Sequence, residues 1–576
     1  MSAVEGLKVN SKFLRGNIAE EINSDAECFS AETTGLLKFH GTYQQDDRDL
    51  RVERRKQGLD RRFIMMVRSK IPGGQVTSKQ YLAHVKITDE LGNGSLRITS
   101  RQGFQTHGVL KGNLRECIRR INECGLTTWG ACGDVVRNVT AAPSPLKDKV
   151  HLEVQRLCHE IKNHFSARTR AYSEIWLNGD KIELGNPEED DEPIFGKAYL
   201  PRKFKIGIAV PPRNDIDVYC NDVGVVPIVD QNGDIEGYNI HVGGSMGMSH
   251  GKEATFPALA MPLCFIQPEH LMETLTAIVL VQRDYGDRED RKHARLKYLL
   301  ADRGIEWFRH QVQERLNAEV RLEEVRPVEW TTVGDMLGWN EQGDGKLFCT
   351  IWVPEGRIKD YEREGQFKTC FKEIAERFDF PIRLTPNCNF MFFDIDPAQK
   401  QEVDQILTKY GITPGEHFTE ARKVCQACVA LPTCGLALAE SERVFGGVMN
   451  EIDKVLADLH LEHEPLLIRM TGCPNGCARP YNADFGFVGR GPERYAFFVG
   501  GSSTGDRMAG LERHTVLLDD IPHVVREYLE EFVQNRLPGE TFSHYWGRTH
   551  HNGEAPHPSQ FHQEMSHLKA ATIAGE

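Results

Sequence analysis

Apolar positions in this chain fall into two kinds of segment. Short apolar runs bounded by turn residues, FIMMV at Phe63–Val67, KIGIAV at Lys205–Val210 and YAFFVGG from Tyr495, have the length and composition of strands. Asn113–Cys124, His151–Phe165 and His270–Gln282 space their apolar residues at helical intervals. The mixture predicts an α+β protein. The pattern also repeats. SLRITSRQGFQ at Ser95–Gln105 matches PIRLTPNCNFM at Pro381–Met391, so that Arg97, Thr99 and Phe104 fall on Arg383, Thr385 and Phe390 at one constant offset. Each copy follows a similar lead, Ile71-Pro-Gly-Gly-Gln-Val or Val353-Pro-Glu-Gly-Arg-Ile. A second unit, Tyr238-Asn-Ile-His-Val-Gly-Gly-Ser, recurs from Tyr495, and Asn221-Asp-Val-Gly-Val recurs from Ala483. The order A-B-A′-B′ predicts duplicated domains related by pseudo-symmetry, with any cofactor at the pseudo-dyad.

At 576 residues the chain exceeds one hydrophobic core. The expected divisions are 1–60, 61–145, 146–330, 331–420, 421–540 and 541–576, with Arg321–Val333 and Pro414–Lys423 as junctions. Pro187–Glu192 (PEEDDE) is expected to be a solvated acidic loop. From about Thr541 apolar periodicity fades into a tail with six histidines between His544 and His567. There is no run of about 18 apolar residues and no apolar leader. With many unpaired cysteines, this predicts a protein of the reducing cytoplasm. A net charge of −13 argues against general nucleic-acid binding.

Most of the 15 cysteines are scattered, as small buried hydrophobes are. Four are not. Cys428 and Cys434 lie in CVALPTC, and Cys473 and Cys477 lie in TGCPNGCARP. The wide gaps do not match zinc knuckles, whereas four thiolates from two separated loops suit an iron–sulfur cube. The Pro/Gly/Asn-rich turn of the second pair can aim backbone amides at the sulfurs. Spacing leaves open whether Cys425 or Cys428 completes the set. The first B copy has no such quartet; Pro211, Pro212 and Arg213 stand near the aligned position.

CVALPTCGLALAESER followed by MTGCPNGCARP resembles the cluster signature of the sulfite and nitrite reductases that use sirohaem and a 4Fe–4S cluster. FHGTYQQDDRD (Phe39–Asp49), LRITSRQGFQTHGV (Leu96–Val109), VRNV (Val136–Val139) and LPRKFK (Leu200–Lys205) resemble segments of the haemoprotein subunits of assimilatory sulfite reductases. The resemblance covers nearly the whole chain. It implies ferredoxin-like half-domains (A, A′) and larger α/β reductase domains (B, B′) around a central sirohaem and cluster. It also implies Cys428, Cys434, Cys473 and Cys477 as cluster ligands, with Cys425 outside the set and the Cys477 thiolate shared with the sirohaem iron.

The same resemblance places Arg68, Arg137, Lys203 and Lys205 against the substrate, where an oxyanion needs cations and proton donors. Sirohaem carries eight carboxylates. Arg97 and Arg101, expected on one face of a strand, would bind them, with Gln105, His107, Arg202 and Asn475 as helpers. The basic run Arg291–Lys297 either joins them or forms a solvated helix face. No strand-Gly-x-Gly-x-x-Gly-helix fingerprint occurs, so electrons are expected from a partner, a flavoprotein (α) subunit fed by NADPH or else a ferredoxin. Lys205 closes a motif that ends in Lys in sulfite reductases and Asn in nitrite reductases, which favours sulfite over nitrite. A non-catalytic iron–sulfur carrier or sensor would need the cysteines but not the convergent Arg/Lys set.

Overall fold

A computed structural model describes residues 2–168, 175–177, 180–182, 192–252, 254–415 and 417–550. The A-B-A′-B′ repeat appears as four five-stranded sheets in two matched pairs. The A sheet runs Thr42–Asp46, Phe63–Arg68, Phe104–Val109, Leu96–Ile98, Arg357–Ile358. The A′ sheet runs Gly338–Glu341, Leu347–Ile351, Phe390–Ile395, Ile382–Leu384, Gln75–Val76. The last strand of each belongs to the other half: Arg357 pairs with Arg97, and Gln75 pairs with Arg383.

The exchange depends on the repeated Pro-Gly leads. Gly74 (φ 75°) and Gly356 (φ 73°) hold left-handed backbone where the halves cross. A Cβ on Gly356 would stand 2.6 Å from Cys388 Cβ, and one on Gly74 would strike the Leu384 carbonyl. One hydrophobic core consequently serves both half-domains. It joins Tyr81 and Phe104 from A to Phe371 and Phe390 from A′, with the last two rings stacked at 4.4 Å.

The B and B′ sheets share a topology. Met261–Ile266, Ile235–Val242, Val223–Val229, Ile206–Ile208 and Thr140–Ala141 form one. Gly510–Leu517, Arg494–Val499, Phe485–Gly491, Ile468–Thr471 and Gln426–Ala427 form the other. In each, the first three strands in chain order run parallel to one another, and the last two add antiparallel. Helices Lys149–His164 and Leu271–Tyr285 cover the first, and Glu442–Asp458 and Ile521–Asn535 the second.

Three expectations change. The chain does not become a tail at Thr541: the helix Phe542–Thr549 buries Phe542, Tyr545 and Trp546 in the B′ core, capped by Thr541. Arg291–Lys297 is no solvated face, because Arg295 is buried against Asp222 (2.9 Å) and Lys297 donates to Ser245 O (3.0 Å). Glu192 is buried rather than solvated. The rest of the acidic segment, 187–191, and the histidines beyond His550 lie outside the described residues. No described helix is long and apolar enough to cross a membrane.

Candidate functional site

The two reductase sheets meet at the pseudo-dyad through residues in equivalent positions. Asp217 and Arg479 each take left-handed backbone before a short 3-10 turn (φ 49° and 59°) and pair with one another at 2.6 Å. Asn482 donates to the sulfur of its counterpart Cys220 at 3.4 Å. Arg469, fully buried, joins at 2.8 Å from Asp217. These contacts fix how the cysteine-bearing half faces the cationic half.

On the B′ side, adjacent parallel strands end together and deliver Cys428 and Cys473 to one rim. Gly472 N–H donates to Cys428 Sγ (3.3 Å), and Asn475 Nδ2 donates to Cys473 Sγ (3.4 Å). The loop carrying Cys434 folds back, with Leu438 N–H on Gly472 O at 2.7 Å. Arg48 clamps it from outside through the carbonyls of Cys434 (3.1 Å) and Ala437 (2.6 Å). Cys477 is exposed. Burial, then the other thiols of the quartet, pushes Cys473 up to about 12 and also raises Cys428 and Cys434. Cys428 feels Cys477, Cys473 and Cys434, whereas the charged neighbours of Cys425 are Arg422, Glu355 and Asp453.

The raised thiols of Cys428, Cys434 and Cys473 call for a cationic centre, which would reverse the local balance. Among the described residues no three His, Cys, Asp or Glu side chains converge on one ion position. The thiols of the quartet nonetheless act on one another, and four such thiols on one rim fit a cube that offers several irons.

On the facing side the cations come from several elements. Arg68 ends its strand opposite Gln105. With the Gln105 amide turned to satisfy its bonds, its oxygen accepts from Arg68 Nε at 3.1 Å, and its other amide atom lies 3.3 Å from His107 Nε2. Burial, then Arg357, Arg97 and Arg68, holds His107 well below the ordinary imidazole range, and its buried Nδ1 has no partner among the described residues. Lys203 and Lys205 lead into the strand Ile206–Ile208, anchored by Lys205 N–H on Asp222 (2.9 Å). Burial and then Arg295 and Lys205 press Lys203 well down; burial and then Arg295 and Arg101 bring Lys205 to about 7. Arg137 acts on both, and Arg202 on Lys203. Arg202 lies 4.0 Å from Asp134.

Arg97 and Arg101 do not share a strand face. The strand is only Leu96–Ile98, and Arg101 lies in the following turn, because the Thr99 hydroxyl accepts from the Arg101 and Gly103 amides and bends the chain. Arg97 turns to Glu442 (2.9 Å) and Ala427 O; Arg101 reaches Asn221 (2.8 Å) and Ile206 O (2.9 Å). The two halves touch at the cluster turn, where Met248 N–H donates to Pro474 O (3.0 Å) and Gly247 leaves room beside Asn475.

Sequence reasoning missed Glu442, Arg48 and Asp222 as functional residues, and held Arg295 only as part of the run Arg291–Lys297. Glu442 sits inside the AESER part of the cysteine signature, and Asp222 repeats as Asp484, which holds Leu467 N–H as Asp222 holds that of Lys205. Both signals were present in the chain. Arg48 lies in the Phe39–Asp49 segment and Arg295 in the basic run, but both act across long sequence distances, so their partners were not legible.

Comparison with known proteins agrees with this architecture. A family model described as "Nitrite and sulphite reductase 4Fe-4S domain" matches residues 132–320. A second, "Nitrite/Sulfite reductase ferredoxin-like half domain", matches 57–124 and 340–410. The 4Fe–4S match falls on the half without the cysteine quartet; the quartet lies in its structural repeat. The sulfite reductase (NADPH) hemoprotein beta-component of Staphylococcus saprophyticus is 43% identical over 95% of this chain and 95% of its own. That of Methylorubrum populi is 41% identical over 98% and 92%. The structure of the NirA protein of Mycobacterium tuberculosis superposes with a TM-score of 0.75 at 23% identity, covering 94% of each chain, and shares the fold. The duplicated sheets, the paired cysteine loops and these matches together make the chain a member of the nitrite and sulphite reductase family.

Proposed function

We propose that this chain reduces sulfite to sulfide as the haemoprotein subunit of an assimilatory sulfite reductase, drawing electrons from an NADPH-fed flavoprotein partner. The observation that supports the reading is a rim of thiols that act on one another in one reductase half and a crowd of cations around Lys205 in the other, with the halves joined through Asp217 and Arg479. Cys428, Cys434, Cys473 and Cys477 would hold the 4Fe–4S cluster, with Cys477 as the ligand that would couple it electronically to sirohaem. Arg202, Asn475, Gln105 and His107 hold sirohaem, together with the N–H groups that Arg97 and Arg101 do not spend on protein partners. When bound, the two centres supply the electrons and a coordination position for the substrate.

The chain's own residues then do the rest. Sulfite takes up six electrons and seven protons to become hydrosulfide and three waters. Arg68 and Arg137 offer forked N–H donors to an oxyanion. The Nζ atom of Lys205, brought to about 7 by burial and then by Arg295 and Arg101, holds its proton loosely enough to give it to a departing oxygen near neutral pH. Lys203 is pressed down by the same kind of crowding. The extra charge of Lys205 favours the sulfite dianion over singly charged nitrite. The divisions near residues 330 and 420 are taken as domain limits of this subunit; those near 60, 145 and 540 shift, since Thr42–Asp46 joins the A sheet, Thr140–Ala141 the B sheet and Phe542–Thr549 the B′ core.

A partner face is also supported. The helix Arg51–Lys56 leaves Arg55 and Lys56 exposed, followed by exposed Leu59, Arg61 and Arg62. Arg48 of the same segment grips the Cys434 loop, whose Leu436 is 66% exposed. A basic surface with apolar points beside a cluster ligand suits an acidic electron carrier. The test is anaerobic turnover with reduced methyl viologen, with sulfide and electrons counted, in the wild type and in Cys477→Ser. Six electrons per sulfide are expected, with activity and both optical signatures lost in the variant. A fully active Cys477→Ser would refute Cys477 as a cluster ligand that couples the two centres.

A further inference from the structure

A second electropositive site lies away from this chamber, at the seam where the half-domains exchange strands. A cleft of about 420 Å³ is lined by Lys70, His159 and Lys162, with Gln75, Thr77 and Gln80 also on its wall. No carboxylate lines it. Lys70 carries the argument. It is only 2% exposed, and among the described residues its ammonium group has neither a hydrogen bond nor an ion pair. A buried cation without a counter-charge is costly unless a ligand supplies one.

The surroundings point the same way. His159 and Lys162 stand one turn apart on the helix Lys149–His164. Arg383, which lowers the pKa of His159 by its proximity, donates to Gln75 Oε1 at 2.8 Å, so a further cation lies just behind the wall. The first turn of the helix Ser78–Leu91 opens beside the cleft at Thr77 and adds its positive end. Burial and then Lys162 lower Lys70 to about 7, as expected where cations crowd without an anion. The volume exceeds what a bare oxyanion fills and falls within the range of small-molecule sites. Pro72, Val76, Leu126 and Pro381 give the remaining wall an apolar character.

We propose that this cleft binds a phosphorylated small molecule of nucleotide-like size, with its phosphate on Lys70, Lys162 and His159 and its body against Pro72, Leu126 and Pro381. None of these residues belongs to the sulfite chamber, so the site stands or falls separately from the proposed activity. The test is calorimetric titration of the holoenzyme with adenosine 5′-phosphate and, in parallel, with inorganic phosphate. Lys70→Met and the double variant His159→Gln/Lys162→Met are titrated alongside the wild type. The double variant alters only the outer surface of one helix, so it remains informative should Lys70→Met fail to fold. Adenosine 5′-phosphate should bind the wild type at least about tenfold more tightly than inorganic phosphate and weaken about tenfold or more in the variants. Viologen-driven turnover of the double variant without ligand should match the wild type. Equal affinity for both probes, unchanged binding in the double variant, or no binding of adenosine 5′-phosphate would each overturn the proposal.

Discussion

Lys205 shows how one side chain acquires its chemistry from its setting. Its backbone N–H is tied to Asp222, which in turn holds Arg295 at 2.9 Å. The ammonium group is therefore fixed in a crowd of cations and brought to about 7 by burial, then by Arg295 and Arg101. A proton donor must be protonated to act, so turnover should fall as pH rises past the pKa of this group. Sirohaem carboxylates favour the charged amine, which places that alkaline limb above pH 7 in the loaded enzyme. In Lys205→Met the limb should shift or vanish and kcat should drop about 10²-fold or more. A pH profile of kcat identical in shape to the wild type would remove Lys205 from proton delivery. The motif containing Lys205 and its need for neighbouring cations were legible in the chain, but not the groups that crowd it: after burial, the largest contribution comes from Arg295, in a distant segment.

At the scale of elements, the strand exchange and the cluster loop meet at one carboxylate. Glu442 opens the helix Glu442–Asp458, accepting from Arg97 (2.9 Å) on an A-sheet strand and from Arg357 (2.7 Å) on the strand donated by A′. Its own N–H donates to Cys428 O (3.0 Å). One residue thus joins both half-domains to the cysteine rim. Glu442→Gln leaves two buried guanidinium groups without their carboxylate and should cost about 3 kcal/mol. Chemical denaturation of the loaded enzyme measures it, and a loss below about 0.5 kcal/mol would show that the clamp is dispensable. The repeats announced the two sheets correctly, since strand patterning and Gly/Pro leads are local properties. They could not announce that each lead hands its strand to the opposite sheet. Nor did the alternation around Arg97 and Arg101 survive, because the Thr99 hydroxyl turned the chain after Ile98.

Across the whole molecule, duplication divides the work. One reductase half carries the thiols and the other the cations, and Asp217 with Arg479 locks them at equivalent positions. The net charge of −13 hid a local basic surface around Arg55, Lys56, Arg61 and Arg62 beside the Cys434 loop. Reversing those four charges should reduce flavoprotein-driven turnover about tenfold or more at low salt while leaving viologen-driven turnover intact. Equal loss with both donors would mean damage to the enzyme rather than to docking. The overall order of domains was readable because it was written twice. The tail boundary was not, because the aromatic residues of Phe542–Thr549 are too few to show a period until they are seen packed.

The most direct test of the central claim compares sulfite and nitrite as substrates of the loaded enzyme, by kcat/KM with a viologen donor, in the wild type and in Lys205→Asn. The account predicts faster turnover of sulfite by the wild type, with stoichiometric sulfide, and a ratio moved toward nitrite in the variant. A wild-type preference for nitrite, or a ratio unchanged by the substitution, would contradict it.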